Sequence, residues 1–204
     1  MRITSLRQTS PGRITVCLED GGEIRSTLGA VTELRLFAGR ELDEEAVAAL
    51  RTESARSLGR ERALEYVSRR QLSRRELTDK LREKGFDEDI AVWCADWVTE
   101  RGLLDEERYA AAVVRHYSAK GYGALRLRQE LQRRGIPREL ADAVLEERPR
   151  DTGKLDRLVA AKLTDPEDRD AVRKLSAALC RRGFSSEEIR AALERARASY
   201  DYED

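Results

Sequence analysis

Residues 72–86 read LSRRELTDKLREKGF, a short helix with both ends written into it. Ser73 and Glu76 stand at the spacing of a capping box, in which each side chain satisfies a backbone N–H at a helix start. Leu77 and Leu81 lie four residues apart on one helical face, with basic side chains around much of the rest. Gly85 is placed to take the left-handed conformation that ends a helix. Counting back from it makes Leu81 and Phe86 the apolar pair of a Schellman cap. Arg82 and Lys84 fill the last turn, where cations favour the negative end of the helix dipole.

The phrase recurs. LRQELQRRGI occupies residues 127–136 and LSAALCRRGF residues 175–184. All three fit Leu-x3-Leu-x3-Gly-apolar with a basic residue before the glycine. Gly85, Gly135 and Gly183 are 50 and 48 residues apart. One Leu-rich helix ending in Gly means little, but three at nearly equal spacing mark an internal repeat.

Working outward, residues 61–70, 73–84 and 87–101 make a first set of three helices. The third carries Ile90, Trp93, Cys94 and Trp97 as an apolar stripe, so the tryptophans are expected in the core. A second set starts at Asp105 as N-cap, breaks at Lys120-Gly121-Tyr122-Gly123, and continues through residues 125–134 and 137–147 with Pro137 at N1. After a linker at residues 149–151, the third set is expected at 154–163, 166–182 with Asp165 as N-cap, and 185–198 with a capping box at Ser185 and Glu188. The acidic tail after Tyr200 is expected to fray. Before the repeats, residues 13–28 read as a β-hairpin around Asp20-Gly21-Gly22, with a further strand at residues 3–6. Residues 31–37 read as one or two helical turns, and Asp43 caps a helix over residues 44–55.

The fold class this predicts is mainly α: an elongated array of three tandem three-helix repeats behind a small N-terminal β-hairpin and helix. The boundaries are 1–60, 61–102, 103–149 and 150–204. Such arrays offer extended surfaces suited to gripping a long partner.

Composition bounds the rest. Of the 204 residues 38% are charged, and basic and acidic residues balance at 39 each. Residues 62–138 are locally basic, with 17 cations against 13 anions. Arg69, Arg70, Arg74, Arg75, Lys80, Arg82 and Lys84 make the most basic stretch. It reads equally as a patch for nucleic-acid phosphate or acidic protein and as a solvated helix face. Tyr122, between two glycines and near Lys120 and Arg126, reads as a stacking platform for a base or as a ring packed into an inter-repeat joint. Cys17, Cys94 and Cys180 are isolated and suggest neither a zinc site nor a disulfide framework. No run is apolar for long enough to span a membrane or form a secretory signal, so the chain reads as cytosolic.

A single histidine, His116, leaves no material for a catalytic triad or a multi-histidine metal site. It reads as a partly buried helix residue with no further role. The carboxylates sit at helix starts or opposite arginines, and no glycine-rich phosphate loop follows a strand. The expectation is a non-enzyme without cofactor or metal.

Several passages together resemble the RecX family, bacterial regulators of the RecA recombinase. They are ALEYVSRRQLSRREL (63–77), KLREKGF (80–86), ERGLLDEERYA (100–110) and GYGALRLRQELQRRGI (121–136). CRRGFSSEEIRAAL (180–193) is similar to the family's third repeat, while the N-terminal residues match loosely. Asp105-Glu106 departs from the two aspartates common in the family, and both carboxylates suit a helix start. The resemblance implies a modulator, usually inhibitory, that lies in the groove of the RecA–DNA filament and limits its growth or promotes its disassembly. Some members of the family also bind DNA.

The expected partner is therefore a RecA filament, with single- or double-stranded DNA as a further contact, no membrane, and a monomeric state. Candidate contacts are Arg69, Arg70, Arg74, Arg75 and Lys80, with Lys120, Tyr122, Arg126 and Arg128 as a second group. The alternative is a helical module that binds DNA directly, without RecA, since three-helix units with a basic second helix resemble helix-turn-helix proteins. A third reading is a helical scaffold for an unrelated partner.

Overall fold

A computed structural model describes residues 1–148, 152–163, 165 and 167–200. The chain starts as a three-stranded antiparallel sheet in the order β1-β2-β3, with β1 at Ile3–Ser10, β2 at Arg13–Leu18 and β3 at Glu23–Thr27. The hairpin expected over residues 13–28 is present, and the additional strand is longer than the expected residues 3–6. Alternation decides the two faces. Ile3, Val16, Leu18 and Ile24 point into a core shared with Val47 and Leu50, while Thr15 pairs with Arg7 on one side and Arg25 on the other.

Thr27 ends the sheet and starts α1 (Leu28–Glu33), its hydroxyl accepting from the Ala30 N–H at 3.1 Å. The helical turn thus begins three residues before the expected 31–37. Asp43 caps α2 (Glu44–Arg69) as expected, accepting from the Ala46 N–H at 2.7 Å. In contrast to the expected helices over 44–55 and 61–70, α2 runs unbroken for 26 residues. Its first half packs on the sheet, where the hydroxyls of Ser54 and Ser57 meet those of Ser26 and Thr27. Its second half belongs to the first three-helix core through Ala63. Gly59 lets both happen. A Cβ at that position would lie 2.6 Å from the Cys94 sulfur, so the missing side chain is what allows α2 and α4 to meet closely.

The helices that follow are α3 (Arg74–Glu83), α4 (Glu88–Glu100), α5 (Glu106–Ala119), α6 (Ala124–Arg133), α7 (Arg138–Glu146), α8 (Thr152–Ala160), α9 (Arg169–Arg181) and α10 (Ser186–Tyr200). With the end of α2 they form three successive three-helix sets, each around its own core. The chain divides into two compact units, Met1–Asp105 with the sheet and first set, and Glu106–Asp204 with the second and third.

The repeated phrase does the same work each time. Phe86, Ile136 and Phe184 donate their N–H groups to Leu81, Leu131 and Leu179 at 3.2, 3.1 and 3.2 Å. Gly85, Gly135 and Gly183 have φ of +87°, +75° and +87°. These are three Schellman caps, and the two leucines of each phrase are buried. Both expected capping boxes form, Ser73 with Glu76 and Ser185 with Glu188. Cys94 of the α4 stripe is fully buried in the first core, while Trp93 and Trp97 are half-buried at its edge beneath Arg56, Arg60 and Arg101.

Two helix starts differ from expectation. Pro137 occupies the N-cap position rather than N1, its φ of −55° and ψ of 145° turning the chain into α7. α9 begins at Arg169 under Asp168, whose carboxylate accepts from the Asp170 and Ala171 N–H groups. Asp165 instead closes a local turn with the Glu167 N–H at 2.8 Å. The linker at 149–151, the residue Pro166 and the tail beyond Tyr200 lie outside the described residues.

Candidate partner-binding surfaces

The first group of cations lies in the Met1–Asp105 unit, where α2 ends and α3 begins. Helical spacing and nearby turns give most of them a carboxylate. Arg69 lies 2.5 Å from Glu65, Arg74 2.7 Å from Asp96, and Arg70 and Arg75 each 3.8 Å from Glu76 and Asp79. The Lys80 ammonium sits 5.5 Å from the centre of the Tyr66 ring. The arginine side chains of these pairs are 41–69% exposed. Exposed pairs of this kind stabilise a fold by about 0–1 kcal/mol. Their guanidinium groups can therefore exchange an internal carboxylate for an external anion with little loss of stability.

The second group lies in the Glu106–Asp204 unit and is more engaged with its own fold. Arg128 reaches from α6 to Asp142 on α7 at 2.7 Å. Its hydrogen bond, aided by the charges of Arg128 and Arg138, holds the Asp142 carboxyl below its usual range against the opposing effect of burial. Lys120 sits 5.5 Å over the Tyr117 ring. Arg126 lies 3.2 Å from Glu130, a residue outside both candidate groups. Glu130 is buried, yet three guanidinium groups converge on it, with Arg133 at 3.1 Å and Arg134 at 2.6 Å. Burial works to raise its pKa. The Arg134 hydrogen bond and the charges of Arg133, Arg134 and Arg126 outweigh that and leave it lowered. Arg134 also donates to the Tyr117 hydroxyl at 3.2 Å, tying α6 to α5.

Tyr122 is half-buried. Its ring lies 5.8 Å from that of Tyr117 and borders a cleft of about 260 Å³ that Phe184 also lines. The glycines around it have a backbone reason. Gly123 N–H donates to Arg182 C=O at 2.9 Å and Leu125 N–H to Gly183 C=O at 3.0 Å. The start of α6 is thus capped by the end of α9, with donors at a positive helix end meeting acceptors at a negative one. A Cβ on Gly123 would stand 2.3 Å from the Gly183 oxygen. His116, expected to be partly buried, is exposed, its ring edge-on to Tyr117.

Among the described residues no cluster of three or more His, Cys, Asp or Glu could hold a metal ion. Nor is any helix among them long and apolar enough to cross a membrane.

Comparison with known proteins places this geometry. Residues 60–94 match the family model of the first three-helix domain of RecX, and residues 105–145 that of its second. The regulatory protein RecX of Xanthomonas axonopodis pv. citri is 37% identical over 147 residues, 71% of this chain and 88% of that protein. The regulatory protein RecX of Halorhodospira halophila is 36% identical over 136 residues, 65% of this chain and 84% of its own. A crystal structure of a regulatory protein RecX superposes with a TM-score of 0.73 at 25% identity, covering 95% of this chain and 98% of that one. Repeats, caps and relatives agree: the chain belongs to the RecX family of regulatory proteins.

Proposed function

We propose that this protein binds the filament that a RecA-type recombinase forms on DNA, and restrains its growth, ATP hydrolysis and strand exchange without catalysing a reaction itself. Membership of the RecX family carries the reading, since relatives that match over 84–88% of their own length are named regulatory proteins. The surface cations of α2 and α3, paired mostly at exposed positions, support it as a surface for acidic protein or DNA phosphate. The Lys120–Arg128 group contributes a second, more constrained surface. On this reading the protein acts as a cytoplasmic monomer without cofactor.

Binding to preformed recombinase–DNA filaments tests the surface directly. Arg70→Glu, Arg75→Glu and Lys80→Glu together are expected to weaken filament binding about tenfold or more, because like charges are set against an acidic surface. The unfolding midpoint should hardly move, since all three side chains stand at the surface or its edge. Unchanged filament affinity in the triple variant would remove this surface from the account.

A further inference from the structure

A groove of about 730 Å³ opens in the Met1–Asp105 unit, lined by residues of all three strands, of α2, and of the turn after α3. Arg7, Arg13 and Arg25 line it from the sheet, Arg62 from α2 and Lys84 from the cap of α3. Glu23 is the one carboxylate among its lining residues. None of these cations is in either group considered above.

The strand register explains the concentration of charge. Arg7 pairs with Thr15 and Thr15 with Arg25, so two arginines flank a buried threonine across the sheet. Their backbones stand roughly 10 Å apart, two strand spacings. Arg13 lies two residues before Thr15 on the same face. Some of this charge is used internally: Arg7 pairs with Glu23, Arg13 with Glu61 at 2.6 Å, and Arg62 with Glu65 at 2.5 Å. Arg25 and Lys84 are exposed and have no ion-pair partner among the described residues. Arg13 keeps one terminal guanidinium nitrogen buried without a hydrogen-bond partner.

We infer that this groove binds the phosphate backbone of single-stranded nucleic acid. Guanidinium forks match phosphate oxygens, and threonine and glutamine side chains beside them are further donors. Phe86, half-buried, is the groove's aromatic residue, next in line to Lys84 across Gly85. Cations that follow a backbone beside a ring for an unstacked base are the composition of single-strand sites. An acidic peptide would gain charge pairing here but nothing particular from the ring. A duplex presents no unstacked base.

The test is anisotropy of a fluorescent oligothymidylate titrated with the full chain across a salt series, with no recombinase present. The outcome is therefore independent of the filament-binding reading. Arg25→Glu with Lys84→Glu changes two exposed side chains that hold no ion pair among the described residues, so the fold should survive, as unfolding midpoints will show. The double variant is expected to bind about tenfold or more weakly, with the log–log salt slope shallower by roughly 0.7 for each phosphate no longer neutralised. Arg51→Glu, exposed on α2 and outside both the groove and the two candidate groups, should stay within about twofold of wild type. Failure of the wild type to bind, unchanged affinity in the double variant, or an equal loss in Arg51→Glu would each overturn the inference. So would polyglutamate competing as well as unlabelled oligothymidylate of equal charge, which would assign the groove to acidic protein.

Discussion

Gly183→Ala is expected to unfold the Glu106–Asp204 unit at far lower urea than Gly85→Ala unfolds the Met1–Asp105 unit, each measured against wild type. The two glycines hold the same place in the same cap, with φ of +87° at both. An alanine carries the left-handed penalty at either, about 1–2 kcal/mol. Their surroundings differ. A Cβ on Gly85 meets nothing within 4 Å, whereas one on Gly183 stands 2.3 Å from the Arg126 nitrogen and 2.5 Å from its Cβ. No rotamer relieves a clash between backbones, so α6 must draw away from α9. That strains packing by about 1–3 kcal/mol more. It also strips the Gly123 and Leu125 N–H groups of their acceptors, at about 1 kcal/mol each. The total for Gly183→Ala is about 4–7 kcal/mol, several times the loss at Gly85. Equal losses within about 0.5 kcal/mol would show that the junction between the second and third sets is not packed as described.

Glu130→Gln is expected to be the second large loss, about 2–3 kcal/mol at neutral pH. The amide keeps the shape but leaves Arg134, itself only 18% exposed, without its counter-charge on a buried surface. The figure is below that for a fully enclosed pair because Arg126 and Arg133 are 45% and 70% exposed and keep much of their hydration. The pH dependence follows from the lowered carboxyl pKa. A carboxyl lowered by folding contributes its full stability above the ordinary value near ~4.3 and loses it as pH falls through the folded value. The gap between wild type and Glu130→Gln should therefore be widest at neutral pH and close at acid pH. Urea midpoints of both proteins from pH 7 down to pH ~3 measure it. A gap that is absent at pH 7, or that widens in acid, contradicts the role given to Glu130.

These two residues mark the limits of what the sequence shows. Caps and boxes at Ser73, Gly85, Gly135, Gly183 and Ser185 are legible because each depends on residues within one helix or turn. The continuity of α2 is not, because the contact that Gly59 permits is with Cys94, 35 positions along the chain. Gly123 is likewise readable as a loop glycine until Gly183 is seen against it. Asp165 and Asp168 are both competent caps, and only the backbone shows that Asp168 starts α9 while Asp165 closes a turn.

The candidate surfaces divide in the same way. A run such as Arg69–Arg70 and Arg74–Arg75 is visible as a cluster of letters. Arg7, Arg13 and Arg25 are spread over three strands among threonines and assemble only through strand register. Glu130 does carry a readable signal, with arginines at i−4, i+3 and i+4. It is masked as one acid in an arginine-rich helix. Tyr122, flanked by cations in sequence, proves to border a cleft beside Phe184.

The most direct test of the central claim is the single-stranded-DNA-dependent ATPase of a RecA-type recombinase, followed as this protein is added from substoichiometric amounts upward. The account predicts that hydrolysis falls well before one protein is present per recombinase subunit. An ATPase unchanged at molar excess would contradict it.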